Sequence, residues 1–152
     1  MACPFFMPVQ KLEGGWFHPA RLPLGGGWGG RCSAPGHDDS QPSEQDLREL
    51  CNLGYATKCA RLPIQRDCDA VRFSVARDQG SRLLLRFVFE AGHRPAKHGT
   101  AEYDVDLGTW IAPLSDLPIP PNIGKMLDCY VESYLQRRIR PAVAKAPDSV
   151  NP

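Results

Sequence analysis

Val71-Arg72-Phe73-Ser74-Val75-Ala76-Arg77-Asp78-Gln79-Gly80-Ser81-Arg82-Leu83-Leu84-Leu85-Arg86-Phe87-Val88-Phe89-Glu90 decides the fold class of this chain. Val71, Phe73 and Val75 alternate with Arg72 and Ser74. Beyond the Asp78-Gln79-Gly80 turn, Leu83, Leu85, Phe87 and Phe89 alternate with Arg82, Arg86 and Glu90. A period of two puts one apolar row on each strand, and the short polar break with a glycine folds one strand back on the other. Further on, Tyr103, Val105 and Leu107 alternate with Glu102, Asp104 and Asp106, which reads as a third strand after a longer connection over 91–98. Outward charges are basic on the first two strands and acidic on the third, so cross-strand pairing favours the third lying beside one of them.

Downstream, Ile123, Met126, Leu127, Tyr130, Val131, Tyr134 and Leu135 fall at helical spacing and form one apolar face that should pack on the sheet. Arg137, Arg138 and Arg140 gather at the end of this helix, where cations complement its dipole, and Pro141 stops it. Cys129 falls off the apolar stripe. Asp116 to Pro121 reads as a connector and 141–152 as a flexible tail.

Upstream, the first thirty residues hold seven glycines, four prolines and three charged side chains, with Trp16, Phe17 and Trp28 among them. Such a stretch sustains neither helical nor strand periodicity and is too aromatic for a disordered tail, so it reads as ordered coil wrapped on the domain. Pro42-Ser43-Glu44-Gln45-Asp46 then opens a short helix, with Ser43 as N-cap, Leu47, Leu50 and Cys51 on its inner side and Gly54 as its stop. The fold expected is α+β in a single domain over 1–140. It has a cysteine-bearing N-terminal coil and short helix (1–60), a three-stranded antiparallel sheet, and a long C-terminal helix packed on that sheet (70–140).

The chain has 152 residues, six cysteines and a formal net charge of +1. Near-neutral charge argues against a general nucleic-acid binder. No apolar run approaches the roughly 18 to 20 residues needed to span a bilayer, and the N-terminus lacks the basic stub and apolar segment of an export signal. A cytoplasmic, reducing setting is therefore expected, where clustered thiols bind metals more often than they pair.

Cys3, Cys32, Cys51 and Cys59 are the chemistry-bearing residues. Four thiolates can close a tetrahedral zinc site or carry a [4Fe-4S] cluster. Intervals of 28, 18 and 7 residues separate them, and no C-x-x-C knuckle of the usual zinc kind occurs. Cys3-Pro4 has the Cys-Pro step found at many iron–sulfur ligands. Zinc, an iron–sulfur cluster and plain buried thiols all remain open at this level. Cys68, between Asp67 and Asp69, and His37, beside Asp38 and Asp39, are secondary metal candidates. The neighbouring carboxylates disfavour a thiolate at Cys68.

Cys3-Pro4-Phe5, a lone Cys32, then Cys51-Asn52-Leu53-Gly54-Tyr55 and Cys59 resembles a pattern of poorly characterised bacterial proteins. Those proteins have a Cys-Pro-aromatic start, a single Cys, a Cys-x-x-Gly-x-Tyr-type segment and a closing Cys. The resemblance covers about the first 60 residues, and Ala60 stands where the pattern has a proline. It implies a four-cysteine metal-binding module without assigning it a reaction.

Elsewhere, Leu24-Gly25-Gly26-Gly27-Trp28-Gly29-Gly30 lacks the Gly-Lys-Ser/Thr ending of a phosphate loop. The 91–98 connection, with His93, Arg94, Lys97 and His98, is a candidate binding loop. No arrangement of nucleophile, base and acid stands out, so an enzyme is the lesser reading. The expectation is a small metal-binding protein in which four cysteines hold an iron–sulfur cluster or zinc in a structural or redox-sensing role. The alternative is a metal-free interaction module that meets a protein partner through its sheet and the 91–98 loop.

Overall fold

A computed structural model describes residues 1–38, 40–111 and 119–139. The tail expected over 141–152, Arg140, Asp39 and the first half of the Asp116 to Pro121 connector lie outside the described residues.

Among the described residues, six strands and two α-helices follow in chain order: β1 (Phe6–Leu12), β2 (Gly27–Cys32), α1 (Glu44–Asp46), β3 (Ala70–Asp78), β4 (Arg82–Ala91), β5 (Arg94–Asp104), β6 (Thr109–Ile111) and α2 (Pro121–Ile139). They form two antiparallel sheets, a β1–β2 hairpin and a β3-β4-β5-β6 meander. The class is α+β, but the expected three-stranded sheet is a four-stranded one, and the expected N-terminal coil contains a second sheet.

The period-two stretch forms the β3–β4 hairpin, with Phe73 opposite Phe87 and Val71 opposite Phe89. Its turn is closed by Gln79 N–H donating to Arg82 O at 2.9 Å and Gly80 N–H donating to Asp78 Oδ1 at 2.8 Å. The third strand, β5, begins nine residues earlier than Tyr103, at Arg94, so 91–98 is not a loop. Only Gly92 and His93 make the turn, both at positive φ (54° and 63°), as a tight primed hairpin turn requires. Arg94, Lys97 and His98 are exposed strand residues. Alternation could not reveal them, because the inward position here is Gly99. A Cβ at Gly99 would lie 2.3 Å from the Phe87 ring, so the ring takes the space of the missing side chain. At the other end, 105–108 turns back on Asp104, whose Oδ1 accepts from Leu107 N–H at 2.9 Å, leaving Leu107 exposed rather than in a strand. Arg82 does lie opposite Asp104.

The β1–β2 hairpin forms despite Pro8 and the glycines. Pro8 sits where the register slips between Pro8 and Gln10, the kind of irregularity that tolerates a missing N–H. A Cβ at Gly30 would lie 2.1 Å from Met7 O, so close pairing here needs glycine. The chain start joins the other sheet: Ala2 N–H donates to Val71 O at 2.7 Å, and Val71 N–H donates back to Ala2 O at 2.9 Å.

Helix α2 begins with Pro121, whose missing N–H costs nothing at a first helical position. Ile123, Met126, Leu127 and Val131 are buried in one core with Phe73, Leu83, Leu85 and Phe87, and Tyr130 lies 5.9 Å from Phe73 between ring centroids. A second side of the helix is covered too. Asn122, Cys129 and Ser133 are buried, Asn122 Nδ2 donates to Pro4 O, and Arg137 Nη1 donates to Gly25 O at 2.9 Å. The helix is thus sandwiched between the meander and the N-terminal hairpin. Among the described residues, no helix is long and apolar enough to cross a membrane.

Candidate metal centre

Four separate segments deliver the four cysteines. Cys3 precedes β1, and its N–H donates to Cys51 O at 3.3 Å. Cys32 ends β2 opposite Phe6, and its N–H donates to Ser40 O at 2.9 Å.

Cys51 closes the segment begun at α1. There Ser43 Oγ accepts from Asp46 N–H at 3.1 Å while Asp46 Oδ2 accepts from Ser43 N–H at 3.3 Å, a reciprocal capping box. After Asp46 the helix widens to a π-helical turn over Leu47–Cys51, so the short helix is only partly α. Gly54, at φ 67°, ends it. Cys59 lies in the next turn, with its N–H on Ala56 O at 2.8 Å.

Asn52 fixes the Cys51 segment to β2. Its side chain is fully buried, accepts from Trp28 N–H at 3.1 Å and donates to Trp28 O and Leu47 O, each at 2.9 Å. Three hydrogen bonds to main-chain groups make this amide a rigid link between Cys32's strand and Cys51's helix.

Cys3, Cys32, Cys51 and Cys59 all line one small cavity, walled otherwise by Phe5, Phe6, Leu50, Leu62 and Arg61 among others. All four thiols are free. Burial, foremost, pushes the Cys3 thiol up to about 11, with like-charge repulsion from Cys32 and Cys59 adding to it. Cys51 is pushed up to about 12 by burial first and then by Cys3, Cys59 and Cys32. Without a cation both groups stay protonated at neutral pH, so a bound metal must displace their protons.

Among the described residues, Arg61 is the one cation in the wall, anchored by Nη1 on Asp46 Oδ2 at 3.1 Å. Sequence reasoning missed it, although its position two residues after Cys59 is the signal that could have found it.

Among the described residues, no three His, Cys, Asp or Glu side chains form a group close enough to hold a single metal ion. The four cysteines ring the small cavity.

The secondary candidates lie elsewhere. His37 is exposed on a turn, its N–H on Ala34 O. Cys68 lines a separate groove with Lys97, Arg66 and Phe89, and its thiol is raised by burial and then by Asp67 and Asp69. Phe5 belongs to both walls and divides the two spaces.

His93 stacks on Tyr55, with centroids 4.1 Å apart and planes within 9°, and Tyr55 Oη donates to Glu90 Oε2 at 2.9 Å. Among the described residues, Tyr55 and His93 are the two non-glycine residues at positive φ. Their stack ties the loop between Cys51 and Cys59 to the β4–β5 turn.

No protein-family model, curated protein or solved structure matches this chain.

Proposed function

We propose that the protein is a small metal-binding protein whose Cys3, Cys32, Cys51 and Cys59 hold an iron–sulfur cluster, in a structural or redox-sensing role in a reducing, cytoplasmic setting. The observation that carries this reading is that four segments, distant in sequence, bring their free thiols to the wall of one cavity. Reduced cysteines bury readily as apolar groups, but chance burial would not gather four of them and leave Cys68 and Cys129 elsewhere. The wall is largely apolar, and Arg61 supplies a positive charge against an anionic thiolate cluster. Zinc bound by the same four sulfurs is the other form of this reading. The likeness of the first 60 or so residues to a four-cysteine bacterial pattern supports the same assignment.

Anaerobic purification of the wild type and of Cys51→Ser, followed by visible absorption and elemental analysis, tests the proposal. Brown protein with about four irons per chain, lost in the variant, is the result expected. Colourless protein with one zinc would make the site structural. Folded protein with neither metal would overturn the reading and favour an interaction module presenting the exposed face of the meander, where Arg72, Arg86 and His98 project.

A further inference from the structure

On the side of α2 away from the meander, a cavity of about 200 Å³ opens between the helix and the N-terminal hairpin. Lys11, Trp16, the Gly25-Gly26-Gly27 backbone, Ser133 and Arg137 form its working wall. Among the described residues, three buried donors have no partner: Trp16 Nε1 and Ser133 Oγ in the lining, and Trp28 Nε1 beside Gly26. Ser133 is 1% exposed and Trp28 3%, so open solvent does not reach either side chain. A buried donor left unpaired costs about 1 to 3 kcal/mol, and donors gathered along one glycine run beside a cavity can share an acceptor.

The three glycines explain how these groups come together. A Cβ at Gly26 would lie 3.3 Å from Lys11 Cε and 3.6 Å from both Ser133 Oγ and Trp28 Nε1, so all three face the same space. At Gly27 a Cβ would overlap the Trp16 indole at 2.0 Å, and at Gly25 it would meet Arg137 Nη1 at 2.5 Å. The glycine run is therefore a close-approach surface, although it has no phosphate-loop sequence.

The charges point the same way. Lys11 is held by the neutral Gln136 Oε1 at 2.5 Å and by the Trp28 ring at 5.9 Å, and Arg137 by the neutral Gly25 carbonyl. Among the described residues, neither forms an ion pair with a carboxylate, and Glu13 on the rim is exposed. Two fixed cations and three N–H or O–H donors suit an acceptor-only anion.

We propose that this cavity binds a small oxyanion, a phosphoryl or carboxylate group, through Lys11, Arg137, Ser133 and the indole N–H groups of Trp16 and Trp28. The site is separate from the four cysteines, so its test stands apart from that of the metal. The chain's third tryptophan is an internal control, because Trp110 Nε1 already donates to Asp128 Oδ1 at 2.7 Å.

The full-length ¹⁵N-labelled protein would be titrated with inorganic phosphate, with a small phosphomonoester and with acetate while the three indole N–H resonances are followed. Saturable shifts of Trp16 and Trp28 with Trp110 unmoved are expected from at least one probe, and the tightest probe identifies the head group. Arg137→Gln should weaken binding about tenfold. Gly26→Ala, whose backbone needs no positive φ, should weaken it by narrowing the cavity while leaving the spectrum folded. Absence of saturation with all three probes would overturn the proposal. So would equal movement of all three indoles, or binding unchanged in both variants.

Discussion

In the β3–β6 meander, Val71, Phe73, Leu83, Leu85, Phe87 and Ala101 come from paired strands into a shared core. The β1–β2 hairpin contributes little more than Phe6, Pro8 and Trp28 from strands otherwise built of glycine, lysine and half-exposed residues. The first region coheres by ladder and core together. The second is held at points: the Ala2–Val71 bridge, the Asn52 amide on Trp28, and Arg137 on Gly25. Region-wide burial makes opening cooperative, whereas point attachment lets a segment open alone. A metal joining Cys3, Cys32, Cys51 and Cys59 would therefore act where the hairpin is weakest.

The largest effect should come from the core. Phe87→Ala removes a fully buried ring and the cover over Gly99, and should cost about 3 to 5 kcal/mol in denaturant unfolding, felt by every probe at once. Asn52→Ala comes next, at about 3 kcal/mol, because both backbone groups of Trp28 lose their partner inside the protein. Hydrogen exchange should then rise in β1, β2 and the Cys51 segment well before β4. Equal acceleration in β4 would break the contrast between the two regions.

The smallest effect sharpens it through pH. Asp69 accepts from Gly92 N–H at 2.8 Å and Arg66 Nε at 2.7 Å, and these hold its carboxyl below the usual carboxylate value, the Gly92 bond most of all. A depressed native pKa contributes stability that is present above about pH 4, the unfolded value, and is lost as pH falls through the native one. Asp69→Asn should flatten the stability profile below about pH 4 while leaving the slope above it unchanged. An unaltered acid limb in the variant would show that the contact contributes nothing.

Sequence patterning revealed the meander's centre because Val71 to Phe89 obeys a period of two with a glycine turn between. It could not reveal β5 from Arg94, where Gly99 occupies the inward position and the apolar group that fills it belongs to Phe87 on the neighbouring strand. Nor could it reveal β1 and β2, since Pro8 and Gly30 read as strand breakers until the register slip and the close approach to Met7 are known. Cys129 reads as off the stripe of α2 because one apolar face was assumed, whereas the hairpin buries a second. The ring of cysteines was legible from thiol chemistry alone; Asn52 and Arg61, which brace and charge that ring, carry no sequence signature beyond being near Cys51 and Cys59.

The native mass spectrum of the anaerobically prepared chain tests the central claim most directly when taken across single Cys→Ser variants. The account predicts added mass of an iron–sulfur cluster or one zinc in the wild type, lost when Cys3, Cys32, Cys51 or Cys59 is replaced and kept when Cys68 or Cys129 is. A bare polypeptide mass for the folded wild type, or metal retained in all four ring variants, would contradict it.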